Sequence, residues 1–148
     1  MIKIIEGNIL NAPENIICQQ VNCQGIMGSG LALQIMKKYP DVYPRYKKYC
    51  KDFCWGLIGS VCYVKTNDKI IANLFGQEDY GRSKKVYTNY VALEKALVDV
   101  KIYADNHDFS VAIPYGIGCG LANGNWAIVR DMIERTFSDY DVTIYKLV

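Results

Sequence analysis

The sequence predicts an α/β layered fold with a largely parallel sheet, and three observations carry that expectation. Strand-like and helix-like segments alternate along the chain without a break. Two glycine-rich stretches, "GIMGSG" from Gly25 and "GIGCG" from Gly116, each follow an apolar strand-like run and lead toward a helical one. The chain is 148 residues long and 51% apolar, enough to bury a proper core, and no repeat, low-complexity tract or linker divides it. Residues 1–148 are therefore expected to form one domain.

Each element has a local reason. Met1–Ile5 alternates weakly and reads as a strand ended by Gly7-Asn8. "NIICQQV", Asn15–Val21, is a second strand between Pro13 and Asn22. From Leu31, "LALQIMKKY" places apolar residues at helical spacing, with lysines in its last turn before Pro40 stops it. Asp41–Lys51 is a second short helix. Its surroundings, "KKYPDVYPRYKKYCK", mix Lys and Tyr as a nucleic-acid face would, but read more simply as a solvated helix pair with Tyr packed beneath. "SVCYVKT" and "KIIANLF" are strands around the polar turn Asn67-Asp68. The polar loop Gly76–Lys85 follows, then a helix over Val91–Tyr103 with Leu93, Ala96, Leu97 and Val100 on one stripe. "SVAIPY" is a buried strand, Asn125–Phe137 the last helix and "VTIYKL" the last strand.

Composition narrows the function. A formal charge of +2, from 17 basic and 15 acidic residues, is too balanced for a chain that lives on nucleic-acid backbones, a local basic patch aside. No apolar run is long enough to span a bilayer, and "MIKIIEGNIL" lacks a signal-peptide layout, so no membrane association and a cytoplasmic location are expected. The six cysteines form no CxxC pair and the single histidine, His107, lies far from them, so reduced thiols and no metal site are expected.

In parallel sheets ligands collect beyond the carboxyl ends of the strands. The two glycine loops sit at such ends, and each offers unpaired N–H groups and the positive end of a helix, which suits a ligand with two phosphates. Plain turns are the alternative. Neither loop matches a Walker or dinucleotide fingerprint. Asn22 and Gln24 are neutral amides beside the first loop, able to orient a ribose hydroxyl or a water, or simply to form an Asx turn. Tyr80 and Tyr115 either line a pocket or pack at its rim, and Trp126 packs at a helix start. Cys119 reads as a small residue in a crowded loop rather than a nucleophile, since no base is placed for it.

"VNCQGIMGSGLALQI", with "IPYGIGCGLANGNW" and "KIIANLFGQ", resembles a macrodomain, in the branch that holds terminal ADP-ribose protein glycohydrolase, the chromatin-remodeller macrodomain and small bacterial relatives. The similarity runs from Met1 to "VTIYKL". It implies a three-layer α/β/α macrodomain sandwich with a mixed, largely parallel central sheet, and ADP-ribose in a cleft on top. Gly28, Ser29 and Gly30 would grip the diphosphate from one side, next to Gln24 and Met27. Ile117, Gly118, Cys119, Gly120 and Leu121 would grip it from the other, entered through Tyr115 and Gly116. Asn22 matches the polar position beside the distal ribose, Asn8 and Ile9 the adenine end, where relatives carry an Asp, and Leu147 a residue near the base.

Two departures bear on activity. The glycohydrolase's nucleophilic lysine falls near Gly76 or Gln77, with Lys84 and Lys85 further along the loop, and its acid falls on Ala122. The resemblance thus implies ADP-ribose binding and hydrolysis of ADP-ribose-1''-phosphate, O-acetyl-ADP-ribose or an ADP-ribosyl adduct. The water would be oriented by Asn22, with Gln77 at the lysine position and Glu78 or Asp79 as the loop carboxylate. The alternative is a non-catalytic ADP-ribose-binding module; a thiol redox role for Cys119 or Cys23 lacks a resolving pair. The implied partners are ADP-ribose or its derivatives and ADP-ribosylated macromolecules, with no cofactor and a monomeric chain.

Overall fold

A computed structural model of the protein describes residues 1–147. In chain order it contains β1 (Ile2–Glu6), a short 3-10 turn (Ile9–Asn11), β2 (Ile16–Asn22), α1 (Gly30–Lys38), α2 (Val42–Asp52), β3 (Val61–Lys65), β4 (Ile70–Gln77), α3 (Tyr90–His107), β5 (Val111–Pro114), α4 (Trp126–Thr136) and β6 (Val142–Lys146). The six strands form one sheet in the order β1-β6-β5-β2-β4-β3. Every neighbouring pair is parallel except β3 and β4, which are antiparallel.

The alternation of side chains along each strand divides the core in two. Ile16 and Cys18 of β2, Ala72 and Leu74 of β4, and Ile113 of β5 face α3 and α4, where Leu93, Leu97, Val129 and Ile133 are fully buried. Ile17 and Val21, Ile71 and Phe75, and Ala112 face the opposite layer, built by Ile35 of α1 and Val42 and Tyr46 of α2. The tyrosines of the Lys/Tyr stretch pack as expected: Tyr39 and Tyr46 are buried, and Tyr46 stacks on Phe75 with ring centres 5.8 Å apart. Among the described residues no helix is long and apolar enough to cross a membrane.

The elements match the sequence expectation in type and order, with three differences. The 3-10 turn was not expected; Asn8 creates it by accepting from the Leu10 N–H at 3.0 Å. β4 runs on to Gln77, because β2 lies beside it and pairs Asn22 with Gln77. α3 runs on to His107, whose ring stacks between Tyr103 (4.4 Å) and Phe109 (5.4 Å), before Asp108 ends it in a left-handed conformation (φ 56).

Candidate functional site

β5, β2 and β4 are parallel neighbours, so the segments after all three leave the same edge of the sheet. A cleft of about 480 Å³ opens there, a size suited to a small-molecule ligand. Its floor is Gln19, Gln20 and Asn22 of β2. One wall is Ile26–Gly30 with the first turn of α1; the other is Pro114–Gly118 and Gly120–Ala122; Gln77 and Tyr80–Arg82 close one end.

The two walls supply N–H donors by different means. α1 starts behind Ser29, whose backbone is extended and whose side chain makes no capping bond, and no acidic residue lies in the first turn. The N–H groups of Gly28, Ser29, Gly30 and Leu31 find no acceptor among the described residues. In the second loop the donors alternate. Ile117 N bonds Pro114 O (3.1 Å) and Cys119 N bonds Gly116 O (2.8 Å), while Gly118 and Gly120 keep theirs free. Positive φ at Gly116 (80) and Gly118 (76) produces that alternation, the pattern of an anion-binding nest. The helix that follows does not contribute: α4 begins only at Trp126, and Asn125 caps it by accepting from Ala127 N at 2.9 Å. A helix dipole therefore serves the cleft once, not twice as the sequence suggested.

A polar network holds the walls in register. The Gln20 amide donates to Gln77 Oε1 (2.8 Å) and Thr88 Oγ1 (3.0 Å), and Thr88 donates to Gly118 O (2.6 Å). Gln77 in turn donates to Asp79 O at 2.8 Å. Gly118 is required here: a Cβ on it would lie 2.9 Å from Gln20 Oε1, at a φ that L residues avoid.

Asn22 lines the cleft but is largely committed to the fold. Its Oδ1 accepts from Gln24 N (2.9 Å), an Asx turn, and the Tyr46 hydroxyl lies 3.0 Å away; its amide donates to Ile26 O (2.9 Å). Met27, Gly28, Ser29, Gly30, Tyr115, Gly116, Ile117, Gly118, Gly120, Leu121 and Gln77 also line the cleft. Asn8, Ile9, Gln24, Glu78, Cys119 and Leu147 do not. Asn8 is spent capping the 3-10 turn, Ile9 is buried in the α1/α2 core, and Leu147 is exposed. Gln24 and Glu78 lie just outside, with the Gln24 amide on Glu78 O at 3.1 Å. The Cys119 side chain turns away from the cleft to pack on the α3/α4 core, and burial raises its thiol pKa, so the neutral thiol is favoured.

The charge pattern is the sharpest feature. Among the described residues no Asp, Glu, His, Lys or Cys lines the cleft, and Arg82 is its one charged side chain. Ala122, at the acid position of the resemblance, is buried in the wall, and its carbonyl accepts from Tyr87 N at 2.8 Å. Lys84 and Lys85 stay outside the lining; the Lys85 amine lies 5.2 Å from the centre of the Tyr87 ring. Arg82 and Gln20 escaped the sequence reading. The available signal was topological: "DYGR" follows β4, the parallel neighbour of β2.

The DNA ADP-ribosyl glycohydrolase of Mycobacterium tuberculosis is 29% identical over 155 residues, covering 98% of this chain and 42% of that protein. The chain thus spans less than half the length of the glycohydrolases it matches. The ADP-ribose 1''-phosphate phosphatase of Saccharomyces cerevisiae is 24% identical over 176 residues, covering 99% of this chain and 98% of that one. Among solved structures, the macrodomain of Mycobacterium tuberculosis DarG superposes with a TM-score of 0.85 at 28% identity, over 98% of this chain and 97% of that one. Thermosipho africanus DarTG, solved in complex with ADP-ribose, shares the fold at a TM-score of 0.83 and 22% identity, over 98% of this chain and 41% of that one. No family model matches. The fold and these relatives define the class: the chain has the macrodomain fold and is similar to macrodomain proteins over nearly its whole length.

Proposed function

We propose that the cleft binds ADP-ribose with the diphosphate between the two glycine walls, and that the protein hydrolyses ADP-ribose 1''-phosphate. The carrying observation is the charge pattern: among the described residues, a lining rich in free N–H donors, without a carboxylate and with Arg82 as its one cation. Such a site attracts phosphate from every side and repels it from none. Gly28–Gly30 and Gly116–Leu121 would take the diphosphate, Tyr115 the nucleoside side of the cleft, and Asn22 the distal ribose.

Arg82 favours a substrate with a further phosphate. It follows β4, whose Gln77 pairs with Asn22, so it belongs to the end of the cleft assigned to the distal ribose. There its guanidinium would pair with a 1''-phosphate and stabilise the charge that grows during its transfer. Water attacks phosphorus, the P–O bond to the sugar breaks, and ADP-ribose and inorganic phosphate leave. The step rests on positioning and electrostatics, because Gln77 is held at both ends of its amide and Ala122 has no proton to give. The yeast relative that matches this chain at nearly full length carries that activity in its name, which supports the same reading.

A non-catalytic ADP-ribose-binding module is the second reading, favoured by a lining without Asp, Glu, His, Lys or Cys among the described residues. Incubation with the 1''-phosphate, the O-acetyl ester and protein- and DNA-linked ADP-ribose, following release, separates the two. Phosphate release that Arg82→Ala lowers by about a hundredfold is expected, from loss of a charge-assisted contact in the transition state. Turnover of no substrate, with ADP-ribose still bound in calorimetry, leaves the module.

A further inference from the structure

The layer containing α1 and α2 is electrically unlike the rest of the molecule. Residues 30–53 hold six cations (Lys37, Lys38, Arg45, Lys47, Lys48, Lys51) against two carboxylates (Asp41, Asp52), a net of +4. The remaining residues, with eleven cations against thirteen carboxylates, sum to −2. Four of those cations are exposed on α2, a helix about 16 Å long. Lys48 pairs with Asp52; among the described residues no carboxylate pairs with Arg45, Lys47 or Lys51.

Exposed aromatic rings continue this strip. Just past α2, Trp55 is 91% exposed and Phe53 54% exposed. Phe53 is braced by Tyr49 (ring centres 4.7 Å), which stacks on the buried Phe75 (5.6 Å). Trp55 gives the fold almost nothing, and its ring, four residues after Lys51 in the chain, is open for a ligand to cover. The Tyr43 hydroxyl bonds Gly25 O at 3.0 Å, which ties α2 to the turn just before the first glycine wall.

We propose that α2 and the Phe53–Trp55 segment bind single-stranded nucleic acid, the lysines and Arg45 contacting phosphates and Trp55 stacking on a base. Unpaired cations beside a flat, exposed ring are what a single strand demands, since its bases are free to stack. An acidic peptide would satisfy the cations and leave Trp55 idle. The surface is separate from the cleft lining, and its binding does not depend on what the cleft hydrolyses.

Anisotropy of a fluorescein-labelled oligothymidylate, titrated with the full chain in the absence of ADP-ribose, tests this. Saturable binding is expected that weakens by about tenfold or more between about 50 and 200 mM salt. Tryptophan fluorescence should be quenched on binding, and the quench lost in Trp55→Ala. That variant should weaken binding by about tenfold, and the double variant Lys47→Glu, Lys51→Glu by at least as much with a shallower salt dependence. Both should keep their melting temperature and their ADP-ribose affinity, which separates failure here from failure of the cleft assignment. Oligonucleotide binding that is absent, or unchanged in both variants, overturns the proposal. Polyglutamate binding as tightly as the oligonucleotide, with Trp55 fluorescence undisturbed, overturns it in favour of an acidic protein partner.

Discussion

The two glycine walls present the same ligand chemistry, and they reach it through opposite treatments of a helix start. α1 leaves its first turn uncapped and opens it to the cleft, whereas α4 is closed by Asn125 and kept away. The second wall compensates with left-handed glycines that turn alternate N–H groups outward. Capping stabilises a helix start by about 1 kcal/mol. α1 forgoes that gain at the one place where its donors face a cavity, and α3, which begins away from the lining, takes it through Asn89.

The comparison can be broken first at the second wall. Gly120→Glu sets a carboxylate in the nest at a position with no positive φ and nothing within 4 Å of its Cβ, so the fold should tolerate it. ADP-ribose affinity should fall by about a hundredfold or more in calorimetry, since an anion would occupy the phosphate position. Unchanged affinity would show that this wall holds no phosphate. Gly118→Glu is a poorer probe, because it combines the charge with a clash and a strained φ.

At the first wall, Ser29→Asp should separate stability from binding. A carboxylate at the vacant cap would stabilise the chain by about 0.5–2 kcal/mol while lowering ADP-ribose affinity by roughly tenfold, as cap and ligand compete for the same donors. A rise in affinity would mean that the donors of α1 are not used. The mirror experiment is Asn125→Ala, which should cost about 1 kcal/mol in denaturant unfolding and leave affinity within about twofold. The smallest effect belongs to Cys119→Ser. With a raised thiol pKa and a side chain facing the core, Cys119 should be dispensable for binding and turnover at neutral pH, and a large loss of turnover would restore the nucleophile reading.

Much of the site was legible because its main parts are backbone. "GIMGSG" and "GIGCG" announce their loops by composition, and the alternation of elements places both at strand ends. Side chains were harder to place. Cys119 belongs to the loop by sequence, yet its neighbours' φ values rotate its thiol into the core. Glu78 sits next to Gln77 but outside the lining, because successive residues beyond a strand end point in different directions. Trp55 passed unremarked because exposure is not written in a residue's type.

By itself the sequence determined the α/β class, the order of its elements and the two glycine loops. These are local properties, set by hydrophobic period, turn chemistry and residue identity. Tertiary structure alone decided that β5, β2 and β4 lie side by side, and hence that Arg82 shares a cleft with the first wall, whose residues lie 50 and more positions earlier in the chain. It also decided that one helix start is open and the other closed, and that the four cations of α2 and the nearby Trp55 are left exposed. These are questions of which backbone donors and side chains find a partner, and partners remote in sequence are chosen only when the sheet assembles.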